Sequence, residues 1–130
     1  MNLTPSKRPD FEDPDLARKV EALTEAEVDA LPFGAIRLDS EGVVQVYSRA
    51  ERHLSGSGDR ERLGLDFFSQ IAPCMDTPSF RGRIERARAA GHLDLEFGYV
   101  GDFIDREREL TVRVQPDTQG GLWIFMRRED

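Results

Sequence analysis

The apolar residues of this chain change period along its length, and that change restricts the fold more than any other feature. Up to about residue 30 they fall at helical spacing: Leu16, Val20 and Leu23 lie at i, i+4 and i+7, a single stripe on a short helix. From Leu31 the pattern becomes that of strands. Ala35-Ile36-Arg37-Leu38 and Val43-Val44-Gln45-Val46-Tyr47 are rich in β-branched and apolar residues. Asp39-Ser40-Glu41-Gly42 joins them as a hairpin turn, with glycine where a positive φ is useful. Near the other end, Leu93, Leu95, Phe97 and Tyr99 alternate with Asp94, Glu96 and Gly98. Leu110, Val112 and Val114 alternate with Thr111, Arg113 and Gln115. A Gln119-Gly120-Gly121 turn then leads into a last strand, Leu122-Trp123-Ile124-Phe125-Met126.

Between these blocks the signals are helical. Ala50 to Leu54 predicts a helical turn, Ser55 to Gly58 a polar loop, and Glu61 to Leu65 a further short helix. Phe67, Phe68 and Ile71 form an apolar group, and Pro73 disfavours the α conformation at Ala72. Thr77-Pro78 predicts the N-cap and first position of the clearest helix, with Phe80, Ile84 and Ala87 on one face and Gly91 closing it. In the N-terminal segment Asp13-Pro14 can start one helix, and Thr24 with Glu27 fits a capping box for a second, backed by Val28 and Leu31. Two such short helices cannot stand alone and must lean on something larger. Strands at both ends with helices between them predict an α+β domain built on one antiparallel sheet.

At 130 residues the chain has room for one core. Its net charge of −7 argues against nucleic acid as a partner, because phosphate binding needs a positive field. The local exception, Arg81, Arg83, Arg86 and Arg88, reads as a solvated helix face or as a docking patch. No run of eighteen apolar residues is present and the first eleven residues carry no apolar stretch, so neither a membrane span nor a secretory signal is expected. The expectation is a soluble cytoplasmic protein, a monomer or weak dimer. The single cysteine, Cys74, excludes an internal disulfide, and His53 and His92 lie in unrelated segments, so no metal site is expected.

The order of elements is that of a PAS domain. Four segments sharpen it: Leu31-Pro32-Phe33-Gly34-Ala35-Ile36, Gln45-Val46-Tyr47, Asp66-Phe67-Phe68, and Ala72-Pro73-Cys74-Met75-Asp76-Thr77-Pro78-Ser79-Phe80. Together they resemble the photoactive yellow protein family, from about Leu31 to Arg128. The resemblance implies a five-stranded antiparallel sheet flanked by short helices, with residues 1–30 as an N-terminal helical cap and 31–130 as the photosensory core. It implies p-coumaric acid (4-hydroxycinnamic acid) as chromophore, joined to Cys74 as a thioester. It places Tyr47 and Glu51 at the phenolic oxygen, Ser55 behind Tyr47, and Phe67 and Phe103 around the chromophore. The implied role is blue-light sensing for an unidentified downstream signalling protein, not enzyme catalysis. Two positions depart from the family: Ser57 stands where an arginine is common, and Asp105 falls near a position, often methionine, linked to recovery.

The chemistry suits these residue types. A thiolate is the best side-chain nucleophile toward an activated carboxylic acid. Tyr47 and Glu51 are four residues apart, and a strand that ends in a helical turn can direct both into one pocket. A buried phenolate needs donors, and a glutamic acid supplies one only when protonated, which burial and a neighbouring anion both favour. Light-driven transfer of that proton would leave a buried carboxylate, a charge able to displace the N-terminal helices. The residues leave two other readings open: a chromophore-free PAS interaction module with an inert cysteine, and a thiol enzyme.

Overall fold

The computed structural model describes residues 8–54, 61–100 and 109–128. Two short helices, α1 (Leu16–Glu21) and α2 (Glu25–Asp29), precede the hairpin β1 (Gly34–Leu38) and β2 (Val44–Tyr47). Helix α3 (Arg49–Leu54), a π-helical turn at Phe67–Ile71, a 3₁₀ turn at Pro73–Met75 and helix α4 (Arg81–Ala89) form the connection. Strands β3 (Leu95–Val100), β4 (Glu109–Pro116) and β5 (Leu122–Arg128) complete one antiparallel sheet in the order β2-β1-β5-β4-β3.

The last strand of the chain is thus the central one, and its apolar run has to be covered on both faces. Alternation divides it. Leu122, Ile124 and Met126 join Ile36, Leu38, Val112 and Val114 in one cluster, under the helical connection with Phe67, Phe68, Met75, Phe80 and Ile84. Trp123 and Phe125 join Phe33 and Ala35 in a second cluster, under the N-terminal segment with Phe11, Leu16, Ala17, Val20 and Val28. Leu16 and Val20 are fully buried there, each contributing about 1.5–3 kcal/mol. This is the larger support that the two thin helices require.

Polar contacts fasten the same segment. The Ala17 amide donates to Gln115 Oε1 (2.7 Å), and Gln115 Nε2 donates to the Pro14 carbonyl (2.9 Å). Arg113 Nη1 donates to the carbonyls of Phe11 and Asp13, both at 2.7 Å. The expected capping box is present, with the Thr24 amide on Glu27 Oε1 and the Glu27 amide on Thr24 Oγ1. Glu21 accepts from Trp123 Nε1 (3.0 Å) and from the Thr118 hydroxyl, and pairs with Arg37. Arg37 also pairs with Asp117 (2.8 Å).

The expected helix over Glu61–Leu65 does not form. That segment instead lies along the outer edge of β2: the Val44 amide donates to Leu65 O, the Gly64 amide donates to Val44 O, and Val43 bridges Asp66. Edge pairing outcompetes a weak local helix. Helix α4 also starts later than Thr77-Pro78 predicts. The Thr77 carbonyl accepts from Phe80 and Gly82, and Phe80, buried in the core, holds the N-cap position. Strand β3 begins at Leu95, with Leu93 packed on the core ahead of it. The α4 arginines are engaged within the chain: Arg81 with Asp76 and Glu85, Arg83 with the Ser79 carbonyl, Arg86 with that of Pro78 and Arg88 with that of Gly120.

Burial opposes ionisation of Glu21, but hydrogen bonds from Thr118 and Trp123 and the charge of Arg37 outweigh it and lower its pKa. At Asp117 burial is likewise outweighed, by Arg37 and by the amides of Gln119 and Gly121. Both carboxylates therefore add stability that is present above their unfolded pKa values, about 4, and is lost as pH falls through the lower folded values. Urea midpoints should drop on acidification below about pH 5. In Glu21→Gln/Asp117→Asn the protein should be less stable at neutral pH and its acid slope flatter. Parallel slopes would contradict this assignment.

Candidate functional site

The pairing of β1 with β2 contains an irregularity that places the first site residue. Arg37 opposes Val46 but Leu38 opposes Val44, which leaves Gln45 as an extra residue in β2. A bulge of this kind shifts the alternation by one. Val44 and Tyr47, three apart, consequently both face the core beneath the helical connection, while Val46 packs on the other face. Tyr47 is 5 % exposed, with the Arg52 guanidinium 5.6 Å above its ring.

The next residue starts the helix that carries Glu51. Ser48 is fully buried; its hydroxyl accepts from the amides of Ala35 (3.0 Å) and Glu51 (3.3 Å), and its carbonyl from Arg52 (3.0 Å). The Arg49 amide donates to Asp29 Oδ1 (2.9 Å). These contacts pin the first turn of α3 to β1 and α2. Glu51, one turn after Tyr47, is fully buried as a result.

The Glu51 carboxyl lies directly over Gly34, where an added Cβ would overlap Oε1. It is also met by the Arg128 guanidinium: Nη1 donates to Oε1 (2.9 Å) and Nη2 to Oε2 (2.8 Å). The Arg128 side chain is 2 % exposed. This two-pronged contact matches the planar fork of arginine to a carboxylate. Neither Gly34 nor Arg128 stood out in the sequence as a functional residue. The alternation of β5 could have found Arg128, which shares the parity of Ile124 and Met126.

Cys74 sits in the middle of the 3₁₀ turn and is exposed. Its carbonyl accepts from the Tyr99 hydroxyl (3.1 Å), which also contacts Thr77 Oγ1 (3.2 Å), so β3 fixes the turn. Met75 next to it is fully buried in the same cluster as Tyr47 and Phe67. Thus Tyr47, Phe67 and the Cys74 turn share one side of the sheet, and Glu51 lies over Gly34 on that side. Ser55 and Phe103, together with Ser57 and Asp105, lie outside the described residues. Among the described residues no group of three or more His, Cys, Asp or Glu could hold a metal ion, and no helix is long and apolar enough to cross a membrane.

A scan against protein-family models finds none that matches. The chain is 35% identical to photoactive yellow protein from Rhodothalassium salexigens over 119 residues, 91% of this chain and 95% of that one. It superposes with a TM-score of 0.75 on the photoactive yellow protein domain of the sensor histidine kinase Ppr from Rhodospirillum centenum. Identity there is 36%, over 85% of this chain and 98% of that domain. The PAS domain of nitrogen regulation protein NR(II) from Vibrio parahaemolyticus shares the fold at 17% identity, with a TM-score of 0.57 over 83% of this chain and 99% of that one.

The Gly34–Glu51 contact gives a test of the site's packing. Gly34→Ala should cost about 1–3 kcal/mol in urea unfolding, because the new methyl group overlaps the carboxyl. In a Glu51→Ala background the same substitution should cost at least about 1 kcal/mol less. Equal costs in both backgrounds would show that the carboxyl does not occupy this cradle.

Proposed function

The chain belongs to the photoactive yellow protein family, and we propose that it is a blue-light photoreceptor that carries p-coumaric acid as a thioester on Cys74. The observation that carries this reading is the fully buried Glu51 one helical turn from Tyr47. Arg128 compensates the charge of this carboxyl, and a buried, paired glutamate close in the chain to a buried tyrosine is the kind of arrangement that functional sites use. The donor set also fits the group. A phenol and a carboxyl can serve a phenolic oxygen, an exposed thiol is open to an acyl donor, and Phe67 and its aromatic neighbours Phe68 and Phe80 form an apolar wall.

In this reading Cys74 Sγ would hold the acyl group of p-coumaric acid as a thioester, displacing the group that activates the acid. The bound chromophore supplies absorption of blue light and a trans–cis isomerisation. Tyr47 would donate its hydroxyl to the phenolic oxygen, and Ser55 would be the residue to support Tyr47. Glu51 donates as the neutral acid, the form that burial beside an anion favours. Phe67 and Phe103 exclude water. When light moves the oxygen from this position, Glu51 would pass its proton to that phenolic oxygen and be left as a carboxylate. Such a charge would be unfavourable by several kcal/mol until it reached a counterion, enough to bias the attachment of the N-terminal helices. Their release exposes the face of Trp123 and Phe125 to an unidentified signalling partner in the cytoplasm.

Purified protein mixed with activated p-coumaric acid should acquire a visible band that bleaches in blue light and returns in the dark, whereas Cys74→Ala should stay colourless. A colourless wild type would leave the chromophore-free PAS module. Amide hydrogen exchange in α1 and α2 should accelerate in light, and Glu51→Gln should abolish most of that acceleration. Unchanged acceleration would remove Glu51 as the trigger.

A further inference from the structure

Arg128 is a buried cation that the scheme above leaves without a task, and its placement implies one. Its side chain is 2 % exposed, and both terminal nitrogens are turned onto the two oxygens of Glu51. Among the described residues, the titratable and charged groups close to it in the chain include Tyr47 at the end of β2 and Arg52 on α3, the latter directed over the Tyr47 ring. Arg128 brings a full charge to bear on the carboxylate through two hydrogen bonds of 2.9 and 2.8 Å, from a different element, β5. A neutral Glu51 could accept from that fork with one oxygen well and the other poorly, since its hydroxyl has no lone-pair geometry to match both prongs.

We propose that Arg128 is the counterion of Glu51 whenever no phenol lies against it, so that Glu51 alternates between Arg128 as a carboxylate and the chromophore site as an acid. This rests on the photoreceptor reading. The proton balance closes without an outside donor. On loading, Glu51 takes the phenolic proton of the incoming ligand and leaves the guanidinium. In light it returns that proton and goes back to Arg128. The ion pair thereby lowers the energy of the light-formed carboxylate and prolongs the signalling state. Arg128 is a positioning residue: it acts on the photocycle through Glu51. The neighbouring residue Arg127 points to the other face of the sheet, onto Glu12 (2.9 Å) and the Phe11 ring, so a movement at Arg128 is delivered next to an anchor of the N-terminal segment.

The test begins with protein that carries no chromophore. The infrared carboxyl signal of Glu51, identified by subtracting Glu51→Gln, should be that of a carboxylate at neutral pH. In Arg128→Gln it should become that of the protonated acid, because burial then acts alone. In loaded protein, dark recovery after a blue flash should be at least about tenfold faster in Arg128→Gln, with Arg128→Lys between the two. A protonated Glu51 in the unloaded wild type, or recovery within about twofold of wild type in Arg128→Gln, would overturn the proposal. If that variant does not fold, the unloaded wild-type spectrum still decides. If the protein does not load at all, the photoreceptor reading fails, and a carboxylate signal would confine Arg128 to a structural ion pair.

Discussion

A central strand that is apolar on both faces needs two covering layers, and this requirement organises the whole molecule. β5 lies between β1 and β4, and its residues alternate between two clusters. One is closed by the connection between β2 and β3, the other by the N-terminal helices. The alternation continues past the apolar run, so that Arg127 and Arg128 leave the same strand for opposite faces, one toward Glu12 and the other toward Glu51. The Glu51 site and the N-terminal layer are therefore both reached from consecutive residues of a single strand.

The two layers differ in how they are held. The helical connection is part of a large aromatic cluster in which Phe80 meets Phe68, Phe97 and Tyr99 edge to face. The N-terminal layer has a smaller cluster and relies on polar contacts with Arg113, Gln115, Trp123 and Arg127. Contacts of this kind have a net value of about 1 kcal/mol each, or about 1.5–3 kcal/mol where one partner is charged. A perturbation of several kcal/mol is comparable to a few of them and small beside the aromatic core. This is why the N-terminal layer, rather than the connection around Cys74, is the element suited to respond.

Much of this was legible in the sequence, and the parts that were not have a common cause. The β1–β2 hairpin, the capping box at Thr24 and Glu27, and the alternation of β4 are local patterns, and they appear where they were expected. The Cys74 segment could be recognised because its residues are contiguous. The helix expected at Glu61–Leu65 failed because a distant partner, the free edge of β2, offered that backbone better hydrogen bonds. The start of α4 shifted because burying Phe80 outweighed the capping potential of Thr77. Gly34 and Arg128 were missed as site residues because their role exists only through Glu51, 17 and 77 positions away in the chain. The bulge at Gln45, which turns Tyr47 inward, leaves no mark in the residue types that flank it.

The account turns on where the Glu51 carboxyl lies when a ligand is present. A crystal structure of the loaded protein, kept in the dark, addresses that directly. It should show the phenolic oxygen accepting from both Tyr47 and Glu51 at about 2.5–2.7 Å, with the Glu51 carboxyl withdrawn from Arg128. A chromophore ring lodged elsewhere, with Glu51 still in the fork of Arg128, would contradict it.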